Sequence, residues 1–369
     1  MKIDYLTEQV YKPSFRNSKI VGMFDVPVEE KLTKRFEAEL PIEEMEWGVG
    51  LITGPSGAGK TTIATQAFGA DLFTGYEWPS DKSVVDCFKK GIKIDDITGA
   101  LSHVGFSSPP AWLLPYKCLS NGQKFRADMA RLICEAEKGQ TLVVDEFTSV
   151  VDRTVAKISS AAVAKYARRK GVQFVAVSCH DDIADWLEPD WIYRVDTGEF
   201  SRRCLQRPSI KLEVFRCHHS AWRLFKGHHY LSADINKAAH CFIAMWGDEP
   251  VAFAAALPFP HHVVKNYWRG HRTVVLPDYQ GVGIGNRLSE TIAENYLEQG
   301  KRYTSLTSHP AMVQHRLRSD KWVMIRSPGQ VAGTVKSGSM KTSQGRLTAS
   351  FEYIGDGVGY DVKRLEKRG

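Results

Sequence analysis

Residues 50–62 read Gly50-Leu51-Ile52-Thr53-Gly54-Pro55-Ser56-Gly57-Ala58-Gly59-Lys60-Thr61-Thr62. From Gly54 to Thr61 the spacing is G-x-x-x-x-G-K-T. In this pattern the glycines let the backbone curl until its N–H groups face an anion at the start of a helix. The flanks agree with that reading. Val49, Leu51 and Ile52 make a short apolar strand, and Thr62–Gly69 begins an amphipathic helix. Gly54, Ser56, Gly57, Gly59, Lys60, Thr61 and Thr62 are therefore expected to hold the phosphates of a nucleotide, ATP. Lys60 would reach the β- and γ-phosphates, and the Thr61 hydroxyl would bind Mg2+.

Downstream, Thr141-Leu142-Val143-Val144-Asp145-Glu146 is an apolar strand ending in two carboxylates. Buried parallel strands read this way, and ligands collect at their C-terminal ends. Asp145 is expected to hold Mg2+ directly or through water, with Glu146 placed to polarise the attacking water. Two acids can also simply terminate a strand. Between the two motifs lies Leu119-Ser120-Asn121-Gly122-Gln123, followed by a helical pattern from Lys124 to Glu137.

At this point the chain resembles the ATP-binding cassette (ABC) ATPases, whose signature is LSGGQ followed by a helix; Asn121 departs from it. Ser149-Val150-Val151-Asp152 follows Glu146 as the D-loop of that family does. His180 ends the strand Gln173–Cys179 where the switch histidine belongs, so it joins Glu146 as an expected catalytic residue. Pro189-Asp190-Trp191-Ile192-Tyr193 to Gly198 is similar to the closing strand pair, and the resemblance covers about residues 30–200. It implies a head-to-tail, ATP-dependent homodimer. Ser120, Gly122 and Gln123 would contact ATP, with Ser120 and Gly122 capping the γ-phosphate held by the other subunit. Where the family has a Gln-bearing loop, this chain has Val104-Gly105-Phe106-Ser107-Ser108-Pro109-Pro110, with no glutamine. Transporter-like coupling is put in doubt by that departure and by the short stretch from Lys60 to Ser120, which leaves room for a small helical subdomain.

The chain is 369 residues long, which favours two domains. A polar, Pro-broken linker at 201–208 places them at 1–203 and 204–369. In the second, Ile210–Phe215 alternates like a strand, and 241–257 reads as an antiparallel hairpin. Then comes Arg272-Thr273-Val274-Val275-Leu276-Pro277-Asp278-Tyr279-Gln280-Gly281-Val282-Gly283-Ile284-Gly285, a strand entering a glycine loop. Asn286–Gln299 continues as a helix with Leu288, Ile292 and Tyr296 on one face. A dinucleotide fold would need further βαβ units and an acidic residue about 20 positions on, and the chain supplies no such repeat.

This stretch is similar to the GNAT superfamily of acyl-CoA-dependent N-acyltransferases, whose coenzyme loop reads Q/R-x-x-G-x-G/A, matched by Gln280, Gly283 and Gly285. The resemblance covers about 210–355. It implies that Gln280, Gly281, Val282, Gly283, Ile284, Gly285 and Asn286 grip the pyrophosphate of acetyl-CoA or another acyl-CoA, and that the strand ending near Val275 holds the thioester. The usual acid–base residues do not carry over. The strand that bears a catalytic carboxylate in many relatives has Arg269, His271 and Arg272, and the usual tyrosine position falls at Leu317 or Arg318. The local candidates are His228, His229 and Tyr230 with His261, His262, His271 and His309, of which His229, Tyr230 and His271 are singled out, since a neutral imidazole is a suitable base near pH 7. The histidine spacings match no zinc pattern.

The expected fold class is thus α/β, a P-loop ABC-type ATPase domain followed by an α+β GNAT acyltransferase fold. Charge divides along the same line. Residues 1–200 hold 24 Lys+Arg against 29 Asp+Glu, while residues 201–369 hold 25 against 13. A basic half interleaved with Trp222, Tyr267, Trp268, Tyr303 and Trp322 suits a polyanion. The leading expectation is an ATP-driven clamp that positions nucleic acid for acyl transfer to a base amine, which must leave the duplex before chemistry. The alternatives are acylation of a protein lysine or small amine under ATP control, and an ABC ATPase whose GNAT domain only binds. No apolar run approaches a membrane span, Met1-Lys2-Ile3-Asp4 opens no secretory signal, and seven scattered cysteines suggest reduced core thiols. Together these point to a cytoplasmic protein. Residues 333–349, rich in Gly, Ser, Thr and Lys, read as a loop or arm.

Overall fold

The computed structural model describes residues 1–10, 12–25, 31–202, 207–229, 234–260, 265–330 and 347–356. Tyr230, His261, His262, most of the 333–349 segment and the centre of the linker lie outside the described residues. The chain forms two compact units that are interleaved in sequence. One comprises 1–75, 137–149 and 167–206, and the other 76–136, 150–166 and 207–369. The helical segments on either side of Asp145 cluster with the C-terminal half.

The first unit begins with an antiparallel hairpin of β1 (Lys2–Val10) and β2 (Lys31–Glu39), whose connection carries helix α1 (Phe15–Phe24). Its main sheet contains β3 (Val49–Thr53), β4 (Leu72–Phe73), β5 (Thr141–Val144), β6 (Gln173–Ser178), β7 (Trp191–Arg194) and β8 (Glu199–Arg202). The strand order is β4-β5-β6-β3-β7-β8, parallel except for β8. β3 thus lies inside the sheet and is buried along its whole length, as its unbroken apolar character demands. Asp190 Oδ2 accepts the Gly48 and Val49 N–H groups at 2.8 Å each, anchoring the start of β3. Helix α2 (Lys60–Phe68) buries Ile63, Ala64 and Phe68. These residues join Ile52, Val143, Val175, Val177, Trp191 and Tyr193 in the core.

The second unit is built on a seven-stranded sheet of β9 (Glu213–Cys217), β10 (His240–Trp246), β11 (Glu249–Pro258), β12 (Tyr267–Val275), β13 (Arg302–Thr307), β14 (Trp322–Gln330) and β15 (Leu347–Tyr353). The order is β14-β15-β13-β12-β11-β10-β9, and only β12 and β13 run parallel. The helices are α3 (Ile94–His103), α4 (Asn121–Glu135), α5 (Arg153–Lys170, whose last turn counts with the first unit), α6 (Ile284–Glu298) and α7 (Pro310–Arg318). Leu288, Ile292, Ala293 and Tyr296 of α6 pack on Phe242, Ala254, Phe351 and Tyr353 of the sheet. On α4, Asp128 accepts from Trp78 Nε1 at 2.8 Å and Tyr116 Oη at 2.6 Å, and the Trp78 and Tyr116 rings stack at 4.6 Å.

Two sequence expectations change here. β9 starts at Glu213 rather than Ile210, because Ser209–Leu212 do not pair with β10. The expectation of core cysteines holds for Cys87, Cys134 and Cys241, whereas Cys118 and Cys179 are exposed, since both sit where regular structure gives way to loop. Among the described residues no helix is long and apolar enough to cross a membrane.

Candidate functional site

The glycine loop joins the buried end of β3 to α2. Gly54, Gly57 and Gly59 have φ of 148°, 79° and 103°, values in the region that favours glycine. Gly59 is also fixed by space, because a Cβ there would lie 2.1 Å from the Phe36 ring. Lys60 Nζ donates to the Gly54 and Pro55 carbonyls at 2.8 and 2.7 Å, so the ammonium already spans the loop. The first amides of α2 lack intrahelical partners and point outward, as in any helix start. That arrangement fits a chain of phosphates.

Thr61 Oγ1 donates to Asp145 Oδ2 at 2.6 Å, so the structure brings together the two residues expected at the metal. A hydroxyl and a carboxylate side by side suit Mg2+, which takes few protein oxygens and completes its shell with phosphate and water. Asp145 Oδ1 also accepts the Glu146 amide at 2.8 Å. Glu146 is exposed and, like Thr148, has a positive φ, 49° and 68°. Strain of this kind costs about 1–3 kcal/mol per residue and gathers where geometry serves a function. His180 is half-buried, its N–H donating to Ser178 Oγ at 3.1 Å. The next residue, Asp181, accepts from Thr53 Oγ1 at 2.6 Å and Arg194 Nη1 at 3.1 Å. The Thr53 hydroxyl is the main cause that holds this carboxyl below its usual range. The segment carrying His180 is thereby tied to the residue preceding the loop.

Sequence reasoning missed Lys34 and Phe36. Lys34 Nζ donates to Gly57 O at 3.1 Å and lies 5.0 Å from the Phe36 ring centroid. No motif marks them; the β1–β2 hairpin alone carries them to the loop.

In the second unit Ser120 is the N-cap of α4. Its hydroxyl accepts the Gln123 N–H at 3.3 Å while Gln123 Oε1 accepts the Ser120 N–H at 3.0 Å. This reciprocal capping box fixes the backbone around Gly122. At the start of α5, Asp152 Oδ1 accepts from Val155 N at 3.0 Å.

β12 and β13 pair only through Tyr267–Arg269 and Arg302–Thr304. Beyond Arg269 they part, opening a wedge beside Gly270, where an added Cβ would meet Tyr303 Oη at 2.9 Å. β12 ends at Val275, and after Pro277–Tyr279 comes the second glycine loop, with Gly281 and Gly283 at φ of 98° and 94°. Gly283 caps α6, so Ile284, Gly285 and Asn286 present first-turn amides. Asn286 Oδ1 is buried with no hydrogen-bond partner. The first-turn amides fit a pyrophosphate. The Gln280 side chain, by contrast, is engaged within the protein: Nε2 donates to Val275 O at 2.9 Å, and Oε1 accepts from Ser107 N at 3.0 Å.

A bulge in the β11–β12 pairing leaves His271 without an opposite residue, between Gly270↔Ala256 and Arg272↔Ala255. Burial, followed by the charges of Arg272, Arg269 and His229, pushes His271 down to about 4. Its Nε2 lies 3.5 Å from Asn236 N. His229 meets the Trp222 ring edge-on at 5.5 Å. His271 is thus held as a neutral base among cations, with His229 among the groups that act on it. The unfolded chain binds a proton at His271 near pH 6.5 and the folded chain does not until about 4. The histidine therefore costs no stability above pH 6.5 and progressively destabilises the fold as pH falls from 6.5 towards 4. Urea unfolding should show a smaller acid loss in His271→Gln than in wild type across that window. Equal losses would contradict the burial of a neutral imidazole.

A parallel sheet with a glycine loop, an acidic strand end and a capped signature helix is ABC-ATPase-like, and an antiparallel sheet opened by one parting parallel pair is an acyltransferase type of fold. In agreement, residues 180–318 match the family model described as Acetyltransferase (GNAT) family. No curated protein matches the chain. Among solved structures, the dimeric structure of MJ0796, a bacterial ABC transporter cassette, is 15% identical, with 48% of this chain and 93% of that one covered and a TM-score of 0.36. CbiO1 from Clostridium perfringens, part of the ABC transporter complex cbiONQ, is 15% identical, with coverages of 48% and 81% and a TM-score of 0.34. A bacterial Atm1-family ABC exporter with ATP bound is 17% identical, with coverages of 48% and 36% and a TM-score of 0.33. Over residues 180–318 the chain is thus similar to the GNAT acetyltransferases.

Proposed function

We propose that this protein is an ATP-hydrolysing clamp coupled to acyl transfer from acyl-CoA to an amine, with a nucleobase in DNA or RNA as the acceptor. Residues 1–203 act as the ATPase module and 204–369 as the acyltransferase module. The Thr61–Asp145 pair would hold Mg2+, Lys60 would neutralise the β- and γ-phosphates, and Glu146 would orient water, with His180 beside it. Ser120, Gly122 and Gln123 would close on the nucleotide of a second copy in a head-to-tail homodimer. In the acyltransferase module, amides of Val282–Asn286 would bind the coenzyme pyrophosphate, and the wedge between β12 and β13 would admit the thioester. His229 and His271 would face the acceptor amine, and Tyr230 is a further candidate from the sequence.

The observation that carries the acceptor class is a basic cluster in which Arg269 and Arg272 of β12, together with His229, act on His271, within a half that holds 25 basic against 13 acidic residues. Cations for phosphate beside rings for exposed bases suit a nucleic acid. Incubation with acetyl-CoA, ATP-Mg2+ and DNA or RNA should place one acetyl group on a nucleoside, read by mass spectrometry after digestion. ATP turnover should rise with nucleic acid and lose that stimulation steeply with salt. Stimulation without modification across several acyl-CoAs would leave a binding module; acetylated lysine or free amine in place of nucleoside would replace the acceptor.

A further inference from the structure

One buried cation outside both sites takes hold of the coenzyme loop. Arg126 lies on α4, six residues after Ser120, and is 2% exposed. Its Nε donates to Ser159 Oγ at 3.1 Å, Nη1 to Pro277 O at 2.7 Å and Nη2 to Asp278 O at 3.5 Å. Those carbonyls belong to the turn that leads from β12 into Gln280. The loop is held on its other flank too, where Ser107 N meets Gln280 Oε1. Here the two backbones touch. A Cβ on Gly105, at φ 85°, would lie 2.5 Å from Gln280 O, and one on Gly281 would lie 2.9 Å from both Gly105 Cα and Ala162 Cβ. The segment 104–110, which lacks the glutamine of its family, thus meets a glutamine from position 280. A guanidinium fork needs its partners in fixed directions, and a buried charge deprived of them is costly. Burial lowers Arg126 to about 10, with Asp278 and Asp152 opposing the shift, so it stays charged at neutral pH.

We infer that Arg126, backed by Ser107 and Gly105, is a positioning residue for acyl transfer: it holds the pyrophosphate loop 280–286 in its binding shape from the helical segment that carries the ABC-like signature. This rests on the reading that the loop binds acyl-CoA. A loop shaped before the coenzyme arrives avoids an ordering cost on binding. Ser120 and Arg126 share one rigid helix and lie about 9 Å apart along it, so the residue that would cap a nucleotide and the one that shapes the coenzyme loop move together.

The test is calorimetric titration of CoA and of ATP-Mg2+ into the full chain carrying Arg126→Met, Arg126→Lys or Gly105→Ala. Removing charged hydrogen bonds from the loop should weaken CoA by about tenfold or more in Arg126→Met, with partial recovery in Arg126→Lys. Gly105→Ala should weaken CoA as well, while ATP affinity stays at the wild-type value in each. CoA affinity equal to wild type in folded Arg126→Met and Gly105→Ala overturns the inference and leaves the coenzyme reading intact. Equal losses of CoA and ATP affinity overturn it as well, by marking general damage. A wild-type chain that binds no CoA removes the reading beneath it. Should Arg126→Met fail to fold, Ser159→Ala, which deletes one partner of the guanidinium, and Gly105→Ala decide by the same two affinities.

Discussion

Lys60→Ala should lower ATP turnover by about 10²–10³-fold, the size expected when one preorganised electrostatic group is taken from a phosphoryl-transfer site. The ammonium spans the loop already, bound to the Gly54 and Pro55 carbonyls, so phosphate would replace two neutral acceptors by a charged one at little reorganisation. Removing Lys60 leaves the γ-phosphate charge uncompensated and also frees the two carbonyls that shape the loop. Affinity for ATP should fall together with turnover, because the lysine acts on the ground state as well as on the transition state. Phosphate release and binding of a fluorescent ATP analogue, measured side by side, check both. Turnover within threefold of wild type would remove Lys60 from the phosphate site.

The second large effect belongs to Glu146→Gln, which should cut turnover by about 10²–10⁴-fold, the usual contribution of a positioned general base, while ATP still binds. Its amide keeps the shape of the side chain but loses the acceptor charge, and the backbone bond from Glu146 N to Asp145 Oδ1 is untouched. On the clamp reading, hydrolysis would then be too slow to reset it, so ATP should hold two chains together. Sedimentation of this variant should show a monomer without nucleotide and a dimer with ATP-Mg2+. A monomer in both conditions would count against the head-to-tail homodimer, and unimpaired turnover would count against Glu146 as base.

What was legible in the sequence was what depends on neighbours along the chain. The glycine loop, the helix start after Leu119–Gln123, and the strand–loop–helix run from β12 into α6 each rest on contacts within a few residues. Contacts between distant residues were not legible. Phe36 against Gly59, Lys34 on Gly57 and Ser107 on Gln280 join segments whose meeting no local spacing signals. His271 is an intermediate case, since its identity as a lone imidazole among cations was plain. Its place in a bulge, and the burial that keeps it neutral, depend on the β11–β12 register. The same limit applies to the division of the chain. A polar, Pro-broken stretch marks 201–208, but nothing in the composition of 76–136 says that it packs with 207–330.

That interleaving bears on how the protein is made. Every strand of the parallel sheet has been synthesised by residue 202, so that unit is able to close while the ribosome is still translating. Gly105 and Arg126 must wait for Pro277–Gly281. At roughly 5–20 residues per second the delay is roughly 8 to 35 seconds. Throughout it the nascent chain carries an arginine without its carbonyls and a glycine face without its cover. Folding therefore runs out of sequence order: the segment bearing the ABC-like signature is among the last parts to be finished, and it is finished by the acyltransferase half.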